Sequence, residues 1–508
     1  MKQWSPSYPF AIIIALIALM PVAVLIWLAA DSPQLFDARN LDILTNTISL
    51  MLLTAAGAVI IGVPLALLTS YVKLPWARFW LVLLAAPLAI PSYIGAFTFY
   101  AAFGPGGEIE QMIGISTPVF DGLVGSSIVM ALYTYPFVML TVRASLLSLD
   151  SSLVNAARTL GMSLFSSLWS VVLPRITNGI AAGALLAAMY ALSDFGTPAI
   201  LRLDTFTRMI YVEYNSFGLS QAAMLSLQLL VIVGLILFIE SRVKGTRERP
   251  GKSLLLWPGK LKTALMLLAA SPVVLFAIML PLAIFILWLW RDGAGNFELV
   301  YAWNSAYAAL FAAIAAVIFA LPVAQAAIHG RFGRLTERVS YLGFGVPGIV
   351  MGTALVYVGL QVSLLYQTLA LLVLAYVMRF LPLAVGTIRS TSERLDPSLV
   401  KAARLLGASR KEAFRRITLP LSIRGIVAGA ALVFLEVMRE LPATLILSPL
   451  DFETLATYLW RVYEAGYFGQ AAIPGLLLVV ISGLALAVMF YGERWNQTDI
   501  FEEEPSVS

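Results

Sequence analysis

The sequence contains no cysteine and only one histidine, His329. Without cysteine there can be no disulfide, thiolate metal site or cysteine nucleophile. With a single histidine there can be no histidine pair that binds a metal ion. The sequence also offers no arrangement typical of catalysis by a serine nucleophile and a histidine base. These absences weigh against a membrane enzyme, and they predict that the chain binds no cofactor of its own.

Charged residues are also scarce. They make up 12% of the 508 residues, whereas 60% are hydrophobic, against about 45–50% in an ordinary soluble protein. A soluble globule of this length could not bury so much apolar surface, but a lipid bilayer can surround it. The formal net charge of +5 comes from basic residues in short loops between apolar stretches. In that position they orient membrane helices, so we expect no nucleic-acid partner.

The apolar residues form twelve stretches, each long enough to cross about 30 Å of hydrocarbon as a helix. These are residues 9–30, 45–70, 79–103, 122–142, 177–201, 221–241, 262–290, 304–328, 338–360, 366–388, 421–446 and 470–491. They have to be helices, because an open sheet leaves backbone groups unpaired in lipid. The sequence therefore predicts an all-α polytopic membrane protein with about twelve transmembrane helices.

Basic loops predict the orientation and the domain boundaries. Residues 242–262 hold a cluster of Lys and Arg together with Pro and Gly, which is typical of a cytoplasmic linker. We expect a first half at 1–241, the linker at 242–262, a second half at 263–495 and an acidic cytoplasmic tail at 496–508. Both termini are then cytoplasmic, in a bacterial inner membrane.

An internal repeat relates the two halves at an offset of 246 residues. Residues 143–163 and 389–409 are identical at twelve of 21 positions, many of them polar. The same offset places Leu173-Pro174 on Leu419-Pro420, and Gly179 and Gly183 on Gly425 and Gly429. Such a repeat indicates two copies of one structural unit. Because each half has an even number of spans, the copies have the same topology.

The repeated loops have the signals of two short helices joined by a turn. Asp396 can cap a helix with Pro397 in its first turn, and Gly407 can take the left-handed position that ends it. Ser409 can then cap a second short helix, which we expect Pro420 to end. The first half repeats these signals at the equivalent positions, Asp150, Gly161, Ser163 and Pro174. Small residues on such a knob suit docking into a partner's groove, and an ordinary amphipathic connector is the alternative.

The repeated loop resembles the EAA loop of ABC importer permeases. It has two alanines, three residues, a glycine, nine residues, a β-branched residue, one residue and then Leu-Pro. The acidic first position of that motif is occupied by Asn155 and Lys401. The resemblance implies that these loops couple to two copies of an ABC ATPase subunit, which binds ATP-Mg. The implied coupling residues are Ala156, Ala157, Gly161, Leu173, Pro174, Ala402, Ala403, Gly407, Leu419 and Pro420.

Nearly the whole chain is similar to fused ferric-iron importer permeases. The stretches that carry this likeness are Ser193–Pro198, Arg439–Thr444, Phe452–Thr457, Gln221–Ala223 and Gln470–Ala472. The likeness implies ferric iron as cargo, delivered by a periplasmic binding protein to outward loops that include 202–220 and 447–469. Fused permeases for thiamine share this architecture, so thiamine or another small solute is the alternative cargo.

Four ionisable residues in two equivalent spans are candidates for the translocation path: Asp194, Glu436, Arg439 and Glu440. Ionisable residues inside a membrane usually face a cavity or a partner. Asp194 and Glu440 are related by the repeat, and their carboxylate oxygens suit a small, highly charged cation. Glu436, Arg439 and Glu440 could instead pair with one another within one helix. Arg379 has a similar choice between the path and a snorkelling position near a loop.

A secondary transporter of the major facilitator type is a further alternative, since it also has twelve helices in two halves. Gly330-Arg331-Phe332-Gly333-Arg334 only partly matches the basic loop of that family, and Tyr71–Arg78 does not repeat it. A duplicated helix–turn–helix loop is foreign to that family. The sequence therefore favours an ATP-driven importer that works by alternating access.

Overall fold

A computed structural model of the chain describes residues 8–30, 38–114, 120–240, 254–328, 331–393 and 395–492. The described part is built from α-helices, which confirms the predicted fold class. In the first half the helices are α1 Tyr8–Ala29, α2 Ala38–Tyr71, α3 Ala77–Ala85, α4 Ser92–Phe103, α5 Glu108–Ile113, α6 Gly122–Ser148, α7 Ser151–Thr159, α8 Leu164–Ser167, α9 Leu173–Ser193, α10 Gly196–Ile200, α11 Phe206–Asn215 and α12 Leu219–Glu240.

The second half repeats this order of helices. They are α13 Lys260–Val274, α14 Leu280–Asp292, α15 Leu299–Ile328, α16 Arg331–Gly345, α17 Gly348–Gln361, α18 Leu369–Glu393, α19 Pro397–Leu405, α20 Arg410–Ala413, α21 Leu419–Leu421, α22 Ile423–Met438, α23 Pro442–Leu447, α24 Leu455–Glu464 and α25 Ala472–Gly492. Short 3₁₀ turns (Ala86–Leu88 and Phe468–Ala471) and π turns (Leu168–Val172, Leu275–Met279 and Phe414–Thr418) join some of them.

Each of the twelve predicted spans coincides with apolar helix in the described residues. Eight continuous helical segments are long and apolar enough to cross a membrane, and two further bent pairs bring the number to ten. The shorter apolar helices Gly348–Gln361 and Phe468–Leu484 fall on the two remaining predicted spans. Large apolar side chains such as Ile60, Val231 and Leu268 are exposed on the outer faces of these helices, where lipid replaces a protein partner.

Two predicted spans end earlier than expected. The stretch 177–201 is helical only to Ser193, and 421–446 only to Met438, after which short helices α10 and α23 begin. The breaks occur at Asp194 and at Arg439–Leu441, where ionisable residues interrupt the apolar stretches, but overall hydropathy gave no sign that the helix stops there. The reason is that a carboxylate in each break binds backbone N–H groups of the following turn, as described below.

Proline bends the third span of the first half. The segments Ala77–Leu88 and Ser92–Ile113 meet at an angle of 85° around Pro91. Proline cannot donate the hydrogen bond that would continue the helix, and it holds the preceding residue out of helical conformation. Pro347 stands in the same place before α17. Both helices that follow these prolines start at the level of the breaks after α9 and α22.

The core of each half is a layer of three long helices. In the first half α2, α6 and α9 pack together, and in the second half α15, α18 and α22 pack in the same way. Two glycines of the repeat allow α9 to lie close to α6, and α22 to lie close to α18. A Cβ on Gly183 would meet the backbone of Val138, and one on Gly429 the backbone of Ala384. Small residues at such crossings let membrane helices come into contact.

The first helix of each half crosses to the other half. Helix α1 packs on α12 of its own half and on α15, α16 and α17 of the second, while α14 packs on α25 and on α4 of the first. Aromatic contacts mark both crossings. The Trp27 and Tyr357 rings lie 5.1 Å apart, and the Phe97 and Trp288 rings 5.5 Å apart. The two halves therefore share an interlocked core.

The linker is described only at its C-terminal end. Residues 241–253, the tail 496–508 and His329 lie outside the described residues, and the proposed domain boundaries stay predictions. Leu256 exchanges backbone hydrogen bonds with Tyr71 and Lys73, and the Lys73 ammonium lies 3.8 Å from the Trp257 ring centre. This end of the linker is thus fixed to the loop after α2.

Candidate functional site

The first repeated loop folds as two short helices around a glycine turn. The Asp150 carboxylate caps α7 by accepting a 2.9 Å hydrogen bond from the Ser152 N–H. Gly161 follows the helix in the left-handed region, at φ +88°. The Ser163 hydroxyl then caps α8 through the Ser166 N–H, at 3.1 Å. The cap and turn positions predicted for this loop are confirmed. We call residues 150–174 the first elbow.

The second repeated loop has the same construction. Asp396 accepts a 2.8 Å hydrogen bond from the Ser398 N–H, and Gly407 has φ +93°. The Ser409 hydroxyl accepts from the Glu412 N–H at 3.2 Å, while the Glu412 carboxylate accepts from the Ser409 N–H at 2.9 Å. This reciprocal pair is a capping box. We call residues 396–420 the second elbow.

Hydrogen bonds also shift the protonation of the second elbow. The side chain and the N–H of Ser398 hold the pKa of Asp396 below its ordinary value. The N–H and the hydroxyl of Ser409 lower the pKa of Glu412 in the same way. Both carboxylates are fully exposed, so hydrogen bonding to the charged form is the cause. Both caps are therefore ionised at neutral pH.

Parts of both elbows are not covered by any other part of the chain that the structure describes. Leu160 and Leu406, at equivalent positions just before the turn glycines, are 85% and 88% exposed. Of the ten residues predicted to couple to a partner, six are exposed: Ala156, Gly161, Pro174, Ala402, Gly407 and Pro420. Leu173, Ala403 and Leu419 are half-buried, and Ala157 is buried. Exposed leucines beside small residues form a surface that can seat in a groove.

The prediction that Pro174 and Pro420 end the short helices is wrong. Both prolines lie in the first turn of the next helical segment, directly after a π turn. Leu173 and Leu419 donate to carbonyl groups five residues back, at Leu168 and Phe414. Proline has no N–H to donate to a carbonyl in the preceding turn. A π turn widens the helix there, so the helix continues past the proline without that hydrogen bond. In the first half the helix runs on unbroken to Ser193, whereas in the second it bends by 64° after Leu421.

A small polar cavity of about 90 Å³ lies between the two halves. It sits where the helices that follow Pro91 and Pro347 begin and where α9 and α22 end. We call it the central chamber. The polar side chains that line it are Ser92, Tyr93, Tyr190, Ser193, Asp194, Arg379, Glu436, Arg439 and Glu440. The structure therefore brings the four predicted path residues together, and it adds Arg379.

Asp194 and Glu440 play the same local role in the two halves. Asp194 accepts a 3.0 Å hydrogen bond from the N–H of Thr197 at the start of α10. Glu440 accepts one of the same length from the N–H of Ala443 at the start of α23. Each carboxylate therefore also stabilises the break in its span. A negative charge at this place satisfies N–H groups that would otherwise be unpaired.

Glu436 near the end of α22 and Arg439 just after it form the predicted local ion pair. Arg439 also joins the two halves. Its guanidinium donates to the carbonyl groups of Leu88 and Ala89 in the first half, at 3.0 and 3.2 Å. The Tyr93 hydroxyl donates to the Arg439 carbonyl at 3.4 Å. Arg439 thus contacts both halves, through its ion pair with Glu436 and its hydrogen bonds with the first half.

The snorkelling position considered for Arg379 is wrong. Arg379 lies in the middle of α18, its side chain is 15% exposed, and its guanidinium pairs with the Glu440 carboxylate at 3.3 Å. The partner is on a different helix, so sequence spacing gave no sign of the pair. A buried arginine of this kind needs such an acceptor, because removing a lone charge from water is costly.

As a metal site, the chamber offers oxygen atoms of unequal availability. Asp194 also accepts from the Ser92 hydroxyl at 2.9 Å, so its partners are neutral donors. Glu440, the other predicted ligand, already faces a guanidinium. Within the described residues, three or more Asp, Glu or His side chains do not converge on one point. Asp194 is therefore the carboxylate with most capacity for a further positive charge.

Sequence reasoning missed a second polar site on the face opposite the elbows. Glu108 of the first half is buried, and it accepts from the Trp288 indole at 2.6 Å and from both terminal nitrogens of Arg291 at 3.1 Å. A pocket of about 450 Å³ opens beside this group. The partners of Glu108 lie 180 and 183 residues away along the chain, so sequence spacing could not reveal the site. The network holds α14 against the first half.

Comparison with known proteins gives one family and several relatives. The family model described as "Binding-protein-dependent transport system inner membrane component" matches residues 58–243 and again 312–495. The Fe(3+)-transport system permease protein FbpB 2 of Haemophilus influenzae is 33% identical over 474 residues, which cover 90% of each chain. The ferric transport system permease protein FbpB of Actinobacillus pleuropneumoniae is 22% identical over 88% of this chain and 70% of its own. The molybdate/tungstate transport system permease protein WtpB of Pyrococcus furiosus is 28% identical over 41% of this chain and 77% of its own.

Proposed function

The chain belongs to the family of binding-protein-dependent transport system inner membrane components, and we propose that it forms the whole membrane pathway of an ATP-driven ferric-iron importer. The family is one of transport permeases, not of enzymes, and its model matches both halves. One chain would then supply both halves of the pathway. The observation that carries the proposal is the pair of equivalent elbows at one end of two interlocked halves.

The elbows are proposed to couple the chain to two copies of a separate ATPase subunit, which binds ATP-Mg. When ATP binding closes the two ATPase subunits, the elbows approach each other and turn the halves. Both elbows are rigid enough to transmit this movement, because each is capped at both helix starts and locked by a glycine turn. Both termini and the elbows then face the cytoplasm, as the basic loops predict.

Alternating access follows if the central chamber opens to one side at a time. A periplasmic binding protein would release its cargo onto outward loops that include 202–220 and 447–469. The cargo would pass Asp194 and the surrounding hydroxyl groups on its way to the cytoplasm. In this proposal Glu436, Arg439 and Glu440 line the same path, while Asp194 and Glu440 are the candidate metal-contacting residues.

Two relatives named for ferric iron match over most of the chain, and they support iron as cargo. A second candidate is an oxyanion, because a relative named for molybdate and tungstate matches 41% of the chain and two arginines line the chamber. Thiamine remains a further alternative. The positive charges of both arginines are already matched by carboxylates, which favours the cation.

Uptake by cells that lack their own iron and molybdate permeases tests this proposal. The cells express this chain with a cognate ATPase and binding protein, and they receive radiolabelled ferric iron, molybdate or thiamine. We expect iron uptake that disappears when the ATPase cannot hydrolyse ATP. Uptake of molybdate or thiamine, without iron uptake, would refute iron as cargo but leave the importer. Uptake that continues with the inactive ATPase would refute the ATP-driven mechanism.

A further inference from the structure

The two halves of the central chamber are not chemically equivalent. In the first half, Ser92 follows Pro91 and its hydroxyl donates to Asp194. In the second half, Gly348 follows Pro347 in the same place. A Cβ on Gly348 would overlap the guanidinium of Arg379 and the carboxylate of Glu440. A glycine there thus leaves room for an arginine that the first half does not have.

The 246-residue offset shows the same exchange on the long helices. It places Arg379 of α18 on Tyr133 of α6. Tyr133 instead donates its hydroxyl to the carbonyl of Ala277. In the first half the carboxylate is therefore hydrogen-bonded by neutral groups, whereas in the second half the carboxylate pairs directly with a guanidinium.

One of the carboxylates in the chamber has no ion pair within the described part of the chain. Three carboxylates and two guanidinium groups line the cavity. Arg379 pairs with Glu440 and Arg439 pairs with Glu436. Asp194 makes no ion pair among the residues that the structure describes, and its partners are the Ser92 hydroxyl and the Thr197 N–H. Of the three lining carboxylates, Asp194 is thus the one without a direct ion pair, although the Arg379 guanidinium is close enough to act on it electrostatically.

A carboxylate without a counter-charge at membrane depth attracts a cation. We propose that Asp194, and not its counterpart Glu440, contacts the cargo cation, and that Arg379 is a positioning residue that neutralises Glu440. The chamber then offers its cargo a one-sided site, made by Asp194 and the hydroxyl groups of Ser92 and Tyr190. The inference rests on the proposed function, since it names which residue of the same path meets the cargo.

The test uses proteoliposomes that hold the full complex of this chain, the ATPase and the binding protein, supplied with radiolabelled ferric iron. Asp194→Asn keeps the size of the side chain and removes its charge. The double substitution Arg379→Gln with Glu440→Gln keeps a hydrogen-bonding pair and removes both charges together. We expect Asp194→Asn to lower iron uptake roughly tenfold to a hundredfold, the effect of losing one charged contact. The double variant, which alters the lining of the path but removes no unpaired charge, should lose clearly less of the uptake than Asp194→Asn does.

Two further measurements separate cargo contact from a structural role. Asp194→Asn should still show ATP hydrolysis stimulated by the loaded binding protein, and Asp194→Glu should restore part of the iron uptake. Equal loss of uptake in the double variant and in Asp194→Asn, at normal levels of assembled complex, would overturn the inference. So would normal uptake by Asp194→Asn. Failure of the unsubstituted complex to move iron would instead refute the proposed function, and the inference with it.

Discussion

The turn glycine of the second elbow offers a sharp test of how the chain couples to its ATPase. Gly407 has φ +93°, and no atom of the described residues lies within 4 Å of the place where a Cβ would be. A side chain at this position therefore meets open space, and its only penalty is the left-handed backbone. That conformation costs a non-glycine residue about 1–2 kcal/mol, which lowers the population of the native turn roughly fivefold to thirtyfold.

We expect Gly407→Val to insert and assemble normally but to transport poorly. Valine is β-branched and tolerates positive φ badly, so the turn opens and α19 loses its fixed position relative to the helix that follows. Iron transported per ATP hydrolysed should then fall by a factor in that range, while basal ATP hydrolysis continues. The assay is the ratio of the two rates in proteoliposomes, with the amount of assembled complex measured in parallel.

Gly407→Asn is the matched control, because asparagine adopts the left-handed conformation far more readily than valine. It should retain most of the coupling. Gly161→Val in the first elbow, where φ is +88°, should behave like Gly407→Val. If the asparagine and valine variants lose coupling equally, the backbone conformation is not the cause. Normal coupling in Gly407→Val would refute the role given to the elbow.

Three other substitutions test separate parts of the account. Asp396→Ala should weaken binding of the ATPase at neutral pH, while Asp396→Asn should not. Because the pKa of Asp396 is lowered, the cap of the unsubstituted chain is fully present above the ordinary pKa of an aspartate and is lost as the pH falls through the lowered pKa, which ATPase binding against pH measures. Gly183→Ala should lower the midpoint of thermal unfolding in detergent, since its Cβ meets backbone and overpacking costs about 1–3 kcal/mol, whereas Gly234→Ala, with open space around it, should not. Glu108→Gln removes the ion pair with partly exposed Arg291 but keeps an acceptor for the indole, so the free energy of unfolding should fall by about 1 kcal/mol. If Glu108→Ala were as stable as the unsubstituted chain, that would contradict the role given to this network.

Local signals in the sequence were enough to predict the elbows. An aspartate before a helix, a glycine after it and a serine before the next helix act within a few residues of themselves. The structure confirms all three at both copies. The repeat made the prediction firm, because it showed the same signals twice at one offset. Only the role of the prolines was misjudged, since a π turn depends on the geometry of a continuous helix.

The chamber was only half predictable. Asp194, Glu436, Arg439 and Glu440 stand out as ionisable residues in apolar stretches, and the structure does bring them together. Their pairing did not follow from spacing, because Arg379 reaches Glu440 from another helix. The crossing of α1 and α14 to the opposite halves was missed for the same reason, since the hydropathy of a segment does not tell which helices it contacts.

The most direct test of the central claim is the accumulation of radiolabelled ferric iron in proteoliposomes that contain only this chain, its ATPase and the binding protein. We expect accumulation that requires ATP and loaded binding protein, and that stops when the ATPase is made unable to hydrolyse ATP. Iron accumulation driven by an ion gradient without ATP would contradict it. So would the absence of transport by a complex whose ATPase is bound to both elbows and active.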